Sequence, residues 1–306
     1  MSFHEPVLKK ESIEFLVSAK EGNYFEGTAG FGGHTIEILN KLGKNSRLVA
    51  TDKDKIAFDY CVERFAGDER VKLYHTGFNN IKTISKIEFI DSYDGIFADL
   101  GVSSFQLDDK ESGFTFRENA PLDLRMDKNS GVPASEVINT IGEEELANIF
   151  FNYGEERLSR RIAKMVSNER AKKRIATTFD LREIVESCVP AKHATKSLAR
   201  IFQALRIYVN NELEDLRSFL KDAVELLAPN GVIVILTYHS LEDRIVKEHF
   251  KYEALDCICP PQMPICNCKK EKRVEIITRK PVTPSQEEID FNPRSRSAKL
   301  RAAKRI

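Results

Sequence analysis

Gly27-Thr-Ala-Gly30-Phe-Gly32-Gly33-His34-Thr35 is the stretch of sequence that decides the fold. It follows a short run with two aromatic residues at 24–26 and precedes residues 36–42, in which apolar side chains recur at helical spacing. This pattern predicts a strand, a glycine turn and the start of a helix. Glycine permits positive φ angles and close approach of a ligand, and a helix N-terminus offers unpaired N–H groups. The stretch therefore predicts a site for a polar or anionic ligand.

A carboxylate at the end of the next strand sharpens this interpretation. Residues 47–51 predict a second strand, and Asp52 follows it about twenty residues after the last glycines. A carboxylate in this place accepts hydrogen bonds from the ribose hydroxyls of a nucleoside. Glycines alone also mark surface turns and helix ends, so the prediction depends on the pair. Together the turn and Asp52 indicate a nucleoside cofactor in a Rossmann-like crevice.

The order of the remaining elements predicts an α/β fold with a helical insertion. Helices and strands alternate after Asp52, at residues 56–65, 71–75, 81–87 and 93–98. Alternation of this kind predicts a doubly wound parallel sheet whose ligands lie at the carboxyl ends of the strands. Helical patterns then continue from 134 to 226, and the later strands and helix are predicted at 231–237, 241–250 and 274–278.

We therefore expect two domains. The first is discontinuous and comprises residues 1–105 and 211–306, and the second is an inserted helical domain over residues 106–210. An insertion that begins beside the predicted crevice is expected to recognise the substrate. The alternative is a stabilising cap without a substrate role.

Composition limits the class of protein and its compartment. The 306 residues are 42% hydrophobic and 31% charged, which suits a folded protein with a sizeable core. The formal net charge is zero, so any nucleic-acid surface must be local. The sequence lacks an apolar run of about twenty residues and a recognisable signal peptide, so we expect a cytosolic protein without membrane contact. The six cysteines are then expected to be thiols or metal ligands rather than disulfides.

Basic residues are concentrated in three clusters, which favour a surface for a polyanion, although a run of charges is commonly only a solvated face. The first and second lie in the insertion and the third in the C-terminal tail. Their members are Arg157, Arg160, Arg161, Lys164, Arg170, Lys172, Lys173 and Arg174; Lys192, His193, Lys196, Arg200 and Arg206; and Arg294, Arg296, Lys299, Arg301, Lys304 and Arg305.

Four cysteines form a separate motif. Cys257-x-Cys259 and Cys266-x-Cys268 place four thiols at the two ends of one loop. A structural tetrahedral zinc would suit them, although the spacing is tighter than the usual C-x₂-C. Reduced thiols that pack a turn are the alternative, and both interpretations stay open from the sequence.

A series of motifs then resembles the bacterial 16S ribosomal RNA (cytosine-N4)-methyltransferase family. The motifs occur in the order of the family and cover nearly the whole chain: Gly32-Gly33-His34, Gly77-Phe78-Asn79, Asp99-Leu-Gly-Val-Ser-Ser104, Gln106-Leu-Asp, Gly113-Phe-Thr-Phe116, Leu122-Asp-Leu-Arg-Met-Asp127, Tyr153-Gly-Glu-Glu156, Phe202-Gln-Ala-Leu-Arg-Ile207, Val209-Asn-Asn-Glu-Leu213, His239-Ser-Leu-Glu-Asp-Arg244 and Asn292-Pro-Arg-Ser-Arg-Ser-Ala-Lys-Leu-Arg301. The glycine spacing also departs from G-x-G-x-x-G and is similar to motif I of S-adenosylmethionine (AdoMet) methyltransferases, with Glu26 in the place of that motif's acid.

The resemblance implies a Rossmann-like class I AdoMet-dependent methyltransferase sheet with an inserted helical substrate-recognition domain. It implies AdoMet-dependent methylation of the exocyclic N4 of a cytidine in the decoding region of 16S ribosomal RNA. The expected partner is that RNA within the small ribosomal subunit, and a homodimer stays open as the assembly state. The resemblance assigns the cofactor-binding role to Gly32, Gly33, His34, Asp52, Phe78, Asp99 and Gln106.

Several of these residues have simpler interpretations. His34 and Asp99 could cap helices, and Phe78 could be a core aromatic. We nevertheless assign Asp99 a second, catalytic role, in which it and the backbone carbonyls of Leu100 and Gly101 accept the hydrogens of the amine. This transfer is direct and in line, and it needs neither a metal nor a nucleophilic cysteine.

Two other classes of function stay as alternatives. One is a non-catalytic RNA-binding assembly factor that retains an AdoMet pocket as a relic. The other is an enzyme of the same fold that acts on DNA or on a small amine. The intact glycine turn, Asp52 and Asp99 argue against the first, and the basic insertion and tail argue against a small amine, although the sequence does not separate DNA from RNA.

Overall fold

The computed structural model describes residues 6–109, 112–260, 262 and 265–306, and the chain divides into two compact units. The first unit comprises the chain up to Gly101 together with Leu213–Ile306, and the second comprises Val102–Glu212. The sequence placed these divisions after residues 105 and 210, a few residues away. Gln106, a predicted cofactor-binding residue, belongs to the second unit.

The first unit contains a sheet with the strand order β3-β2-β1-β4-β5-β7-β6 in its described part. The strands are β1 (Asn23–Glu26), β2 (Arg47–Asp52), β3 (Val71–His75), β4 (Tyr93–Asp99), β5 (Leu227–Thr237), β6 (Val274–Ile276) and β7 (Lys299–Arg305). The pairs β3-β2, β2-β1, β1-β4 and β4-β5 are parallel, whereas β7 is antiparallel to both β5 and β6. The observed fold is thus the doubly wound α/β sheet that the sequence predicts, extended by an antiparallel strand.

Helices alternate with the parallel strands and also make up most of the second unit. The helices are α1 (Lys9–Leu16), α2 (Gly33–Lys41), α3 (Lys55–Arg64), α4 (Ile81–Ile87), α5 (Ser104–Asp108), α6 (Ala134–Thr140), α7 (Glu143–Gly154), α8 (Ser159–Arg170), α9 (Thr178–Cys188), α10 (Ala191–Asn210), α11 (Glu212–Leu226), α12 (Ser240–Glu253) and α13 (Gln286–Phe291). Short 3₁₀ helices cover Phe78–Asn80 and Pro293–Ser297. None of the helices in the described ranges is long and apolar enough to span a bilayer.

Neighbouring residues of each central strand point to opposite faces of the sheet and fill two separate cores. Phe25 and Val49 pack in a core that includes residues of α4, α11 and α12. Tyr24 and Leu48 pack in the other core, which includes residues of α1, α2 and α3. A sheet covered on both faces explains why the strands read as nearly continuous apolar runs.

The second unit is held by one apolar core. Four of its fully buried members come from four consecutive helices, α7 to α10: Phe150, Ile162, Leu181 and Ile201. A capping box begins α9, in which Thr177 accepts the N–H of Asp180 and the Asp180 carboxylate accepts the N–H of Thr177. Burial would raise the pKa of Asp180, but these bonds and Lys173 lower it to about 2.

The last part of the C-terminal tail is the strand β7, which corrects the prediction of a polyanion surface for Lys299 and Arg301, whereas Arg294 and Arg296 before the strand are exposed. Leu300 and Ala302 of β7 are fully buried, and Arg301 is 7% exposed. The Arg301 Nε lies 2.6 Å from the Asp243 Oδ1 of α12, and the Lys299 Nζ lies 3.3 Å from its Oδ2. Burial would raise the pKa of Asp243, yet the two cations hold it below its ordinary value. The tail has no acid of its own because its acidic partner comes from α12.

Removal of the buried cation should therefore cost stability. We expect Arg301→Ala to lower the free energy of unfolding by about 2 to 3 kcal/mol, because Asp243 loses its closer partner. The matched change Arg296→Ala removes an exposed cation of the same tail and should cost less than about 0.5 kcal/mol. Urea unfolding at pH 7 measures both changes, and equal effects would contradict a structural role for Arg301.

Candidate active site

The predicted site residues of the first unit lie at one edge of the sheet. Strands β1, β2, β3 and β4 are adjacent and parallel, so their carboxyl ends lie side by side. Glu26 ends β1, Asp52 ends β2 and Asp99 ends β4, while Phe78 follows β3 within a few residues. The sheet topology thus brings together residues that are up to about seventy positions apart, at the place where doubly wound sheets bind ligands.

The glycine turn is packed on one side and open on the other. Gly32 has a φ of +76°, and a Cβ there would lie 2.6 Å from the Phe65 ring. At Gly33, which begins α2, a Cβ would lie 2.6 Å from Pro6. Gly30 has a φ of +53°, and a Cβ there would meet no atom within 4 Å among the described residues. Gly32 and Gly33 are therefore required by packing, whereas the space beside Gly30 is free for a ligand.

Asp52 connects this turn to the end of β2. Its Oδ2 accepts the N–H of Gly30 at 2.7 Å, and its Oδ1 accepts the N–H of Asp54 at 2.8 Å. Burial raises the pKa of Asp52 to about 6, against the effect of these two hydrogen bonds. A carboxylate has about four acceptor positions, so Asp52 retains capacity for further donors such as two hydroxyls.

Glu26 is a buried carboxyl group that the protein itself satisfies only in part. Its Oε2 accepts the Thr35 hydroxyl at 2.6 Å, and its Oε1 has no hydrogen-bond partner among the residues described. Burial, together with the charges of Asp52 and Asp99, raises the pKa of Glu26 to about 8. An unpartnered buried acceptor is uncommon and calls for a donor from outside the chain. The sequence marked Glu26 as an acid ahead of the turn but gave it no role.

His34 is a neutral imidazole beneath the site. It is 5% exposed, its ring lies 4.6 Å from that of Phe97, and burial lowers its pKa to about 4. Its Nε2 lies 3.2 Å from the Val7 carbonyl oxygen, which can only accept, so Nε2 carries the hydrogen. Its Nδ1 is then an acceptor and lies 3.7 Å from the Asp99 Oδ2. The N-cap of α2 is Gly32, so His34 is not the helix cap considered as its simpler interpretation.

Asp99 is positioned by the turn and by a tyrosine. Its backbone N–H donates to the Thr28 hydroxyl at 2.7 Å, and the Tyr238 hydroxyl donates to its Oδ1 at 2.8 Å. Burial raises the pKa of Asp99 to about 7, and the Tyr238 hydrogen bond opposes that shift. Gly101 has a φ of +104°, and a Cβ there would lie 3.4 Å from the Tyr238 ring. Asp99 is therefore a carboxyl group poised to gain or lose a proton near neutral pH.

Tyr238 is a site residue that the sequence analysis did not identify. It directly follows β5, which is the neighbour of β4 in the sheet, so it reaches the same edge as Asp99. The signal was present as a polar aromatic after a buried strand. This signal could be interpreted only if β4 and β5 were known to be neighbours in the sheet. These strands are more than a hundred residues apart in the sequence, so local patterns do not show that they pair.

Phe78 forms part of the edge beyond β3. Its ring is half-buried and packs edge to face on Phe219 with 5.0 Å between centroids. A Cβ on Gly27 would lie 2.8 Å from the Phe78 Cβ, so this aromatic lies against the start of the glycine turn. The next residue, Asn79, donates to the Asp215 Oδ1 at 3.1 Å. Phe78 is thus both a packing residue and a partly exposed wall, which combines the two interpretations of the sequence.

Gln106 has a structural task in the second unit. Its side-chain oxygen accepts the N–H of Ser103 at 2.9 Å, and its own N–H donates to the Ser103 hydroxyl at 3.1 Å. This capping box begins α5. The role of Gln106 toward a cofactor stays a prediction.

The first unit fits a nucleoside that carries an amino-acid group. The space beside Gly30 admits such a ligand, the Glu26 Oε1 lacks a donor that an ammonium would supply, and Asp52 can accept hydroxyls. The doubly wound sheet, with a glycine turn after its first strand and a carboxylate at the end of its second, is the arrangement that the sequence analysis expects of an AdoMet-dependent methyltransferase.

Comparison with known proteins identifies the family. The model of the MraW methylase family matches residues 1–306, so the chain belongs to that family, and AdoMet is its cofactor. The chain is similar to the ribosomal RNA small subunit methyltransferase H of Clostridioides difficile strain 630, with 47% identity over 316 residues and 100% of both chains covered. The protein of that name from Caldicellulosiruptor saccharolyticus is 45% identical over 304 residues, with 99% of each chain covered. One solved structure, a methyltransferase from Streptococcus mutans in complex with SAH, has a TM-score of 0.44 at 11% identity and covers 97% of both chains.

The unpartnered oxygen of Glu26 leads to a testable prediction. We expect Glu26→Gln to weaken AdoMet binding about tenfold or more, because a charge-assisted hydrogen bond is lost. In the absence of AdoMet, the same change should raise the free energy of unfolding more at pH 8 than at pH 5. A folded-state pKa near 8 means that the wild type loses stability between the ordinary pKa of a glutamate and pH 8, and glutamine does not.

Calorimetric titration with AdoMet and thermal unfolding at the two pH values measure these effects. Glu37→Gln is the matched control, since Glu37 lies on α2 and its side chain is 34% exposed beside Lys9. Wild-type affinity in the Glu26→Gln variant would show that Glu26 does not bind the cofactor.

Proposed function

We propose that this protein transfers a methyl group from AdoMet to the exocyclic N4 amine of a cytidine in the decoding region of 16S ribosomal RNA. The family and the curated relatives, which are named as small-subunit ribosomal RNA methyltransferases, support methylation of that RNA. The motif resemblance supports the N4 amine of a decoding-region cytidine. The observation that carries the proposal is Asp99, a carboxyl group with a pKa of about 7 at the end of β4, beside the glycine turn.

The cofactor would be held by groups from three strand ends. Glu26 would accept its ammonium, Asp52 would accept its ribose hydroxyls, and Phe78 would pack against its adenine. The glycine turn would lie against the cofactor, and Gly32, Gly33 and His34 would shape that turn. Gln106 is the further predicted cofactor-binding residue, on the basis of the motif resemblance alone. AdoMet supplies a methyl group that is already activated on a sulfonium.

The chain's own part in the chemistry is to orient the amine and accept its proton. The lone pair of the cytosine amine is delocalised into the ring, so acceptors on its hydrogens favour the tetrahedral nitrogen that attacks. The Asp99 carboxylate is such an acceptor, and a pKa close to the working pH suits a group that takes a proton and releases it. The Leu100 and Gly101 carbonyls, next along the chain, are the further proposed acceptors.

Tyr238 and His34 fix which oxygen of Asp99 is available. The Tyr238 hydroxyl occupies Oδ1, and the neutral His34 presents an acceptor, not a charge, toward Oδ2 at 3.7 Å. A proton taken up by Asp99 on Oδ2 would therefore face the His34 Nδ1. Both residues act through Asp99, so they are positioning residues.

The second unit supplies a basic surface for RNA. Arg160, Arg161 and Lys164 are exposed on α8 at positions three or four residues apart, so they share one face, and Arg157 is exposed just before this helix. Lys192, Lys196 and Arg200 are exposed at intervals of four along α10. The Arg200 Nη1 lies 3.6 Å from the Glu156 Oε2, which places the end of this row beside the start of the α8 row. Such rows suit the phosphates of a folded RNA.

Other members of the predicted clusters are occupied within the second unit. The Arg170 guanidinium donates to the carbonyls of Ile138 and Ile141 at 2.7 Å each. Ion pairs also engage the three basic residues that follow α8: Lys172 with Glu169, Lys173 with Asp180 and Arg174 with Glu136. Within the second unit, the proposed RNA surface therefore consists of the α8 and α10 rows.

The function is tested by identification of the methylated nucleoside. The protein is incubated with AdoMet that carries a radiolabelled methyl group and with small ribosomal subunits that lack endogenous methylation, naked 16S RNA or DNA. We expect label on RNA, and mass spectrometry of the digested nucleosides should find N4-methylcytidine. Label in 5-methylcytidine or in DNA would overturn the proposal. Absence of label while AdoMet still binds would favour the RNA-binding assembly factor.

The role of Asp99 is tested by a pH profile. We expect the single-turnover rate to rise with pH through about 7, because only the ionised Asp99 accepts the proton. Tyr238→Phe removes a hydrogen bond that lowers the Asp99 pKa, so the rise should move to higher pH. Asp99→Asn should reduce the rate at least about a hundredfold while AdoMet affinity stays within a few-fold.

Tyr74→Phe is the matched control for the tyrosine. Its hydroxyl also donates to a carboxylate, that of Glu88, away from the site, and its loss should leave the pH profile unchanged. A Tyr238→Phe profile identical to the wild type would contradict the proposed coupling. Loss of AdoMet binding in Asp99→Asn, with turnover retained at saturating AdoMet, would limit Asp99 to the cofactor.

A further inference from the structure

The four cysteines of the loop between α12 and β6 meet at one point. The sulfur atoms of Cys257, Cys259, Cys266 and Cys268 all lie within 4.8 Å of one another. The Cys257–Cys266 and Cys266–Cys268 pairs are separated by 3.5 Å, and the Cys259–Cys266 and Cys257–Cys268 pairs by 3.9 Å. All four are free thiols, so no covalent bond holds them together.

These separations match the corners of a thiolate metal site. Zinc bound by four cysteines is tetrahedral with bonds of about 2.3 Å, and a tetrahedron of that size has edges of about 3.8 Å. Four of the six sulfur–sulfur distances are 3.5 to 3.9 Å and lie on either side of this value, and the other two are within 4.8 Å. The chain thus presents four sulfurs at the spacing that one zinc ion requires.

Packing of reduced thiols does not explain the cluster. Cysteines that serve as small apolar residues are buried, as Cys61 and Cys188 are in this chain. The four loop cysteines are only partly buried or exposed. Two apolar residues of the loop are exposed too, Ile258 at 47% and Ile265 at 78%. None of the described residues of 255–273 belongs to an apolar core, so hydrophobic burial among the described residues does not account for the convergence of the cysteines.

The backbone of the loop is arranged to stabilise thiolates. The N–H of Ile258 donates to the Cys268 sulfur at 3.4 Å, and the N–H of Cys259 donates to the Cys257 sulfur at 3.4 Å. Lys269 adopts a φ of +52°, which turns the chain sharply directly after the last cysteine. Hydrogen bonds from amides to ligand atoms orient the ligands and favour their charged forms.

The charges around the loop suit a site with a net negative charge. Four thiolates and one Zn²⁺ carry a formal charge of about −2. The residues directly after Cys268 are Lys269, Lys270, Glu271, Lys272 and Arg273, four of which are cations. The base of the loop is closed by Arg273, whose backbone N–H donates to the Glu253 carbonyl at 2.9 Å and whose guanidinium binds the Glu253 carboxylate at 2.5 and 2.6 Å.

We propose that Cys257, Cys259, Cys266 and Cys268 bind one structural zinc ion that closes the loop between α12 and β6. All four ligands are protein sulfurs, so the ion has no open position for a substrate and takes no part in methyl transfer. The contacts between Glu253 and Arg273 join the two ends of the loop, and the zinc ion would hold its middle. The proposal is independent of the substrate of the enzyme.

Metal analysis of the full chain tests this proposal. The protein is purified under reducing conditions without chelators, supplied with a small excess of Zn²⁺ and desalted, and its zinc is measured by mass spectrometry. We expect about one zinc per chain. Replacement of zinc by Co²⁺ should give the intense sulfur-to-cobalt and ligand-field absorption of a tetrahedral tetrathiolate site. Removal of zinc should open residues 254–273 to limited proteolysis while AdoMet binding persists.

Cysteine variants locate the site. Cys266→Ser and the double change Cys257→Ser with Cys266→Ser should lose the zinc and the cobalt spectrum. Cys188→Ala, which changes a buried thiol of the second unit, should keep both. AdoMet binding by each serine variant confirms that the first unit is folded. Wild-type protein without bound zinc after this treatment, or full zinc in Cys266→Ser, would overturn the proposal, as would disulfides among the four cysteines in protein alkylated at isolation.

Discussion

Three carboxyl groups buried at the ends of adjacent parallel strands are the constraint on which the candidate site depends. Glu26, Asp52 and Asp99 come from β1, β2 and β4, and the sheet fixes their separation. Burial raises the pKa of each, and for Glu26 the other two add to the shift. Ionisation of the three carboxyl groups at this edge of the sheet is therefore unfavourable in the protein alone. Hydrogen-bond donors and positive charge from a ligand would reduce that cost. A ligand with an ammonium, a sulfonium and two hydroxyls supplies both.

The three carboxyl groups differ in how the chain satisfies them, and this difference separates their tasks. Asp52 receives two backbone N–H groups and has the lowest of the three raised pKa values, so it suits a fixed acceptor. Glu26 receives one hydroxyl and keeps one oxygen unpaired, so it suits a cation. Asp99 receives a tyrosine hydroxyl and is poised near neutrality, so it suits a group that exchanges a proton. Their different neighbours thus suit the three carboxyl groups to three different proposed tasks.

The sequence predicted the parts of this arrangement that depend on local pattern. Strands β1 to β4 and the glycine turn could be read from apolar runs and glycines. Asp52 was predicted as a site residue because it follows a predicted strand, and Asp99 through the resemblance to the family. The fold class, the family and the cofactor were confirmed. Tyr238 was missed because its contact with Asp99 depends on the pairing of β4 with β5. The unpaired oxygen of Glu26 was equally out of reach, since it depends on where every neighbouring donor lies.

The far edge of the sheet shows why a run of basic residues in the sequence does not by itself predict an exposed basic surface. Residues 292–306 contain basic residues and no acid, yet Lys299 and Arg301 complete a buried strand because Asp243 reaches them from α12. The segment before β6 is similar, since Arg273 is paired with Glu253 of the same helix. Strand β7 and the start of β6 are therefore joined to α12 by ion pairs as well as by apolar side chains, and the cysteine loop is the segment of the chain between α12 and β6. A zinc ion there would extend the same principle, because polar and metal bonds can order a segment that has too few apolar residues to form a core of its own.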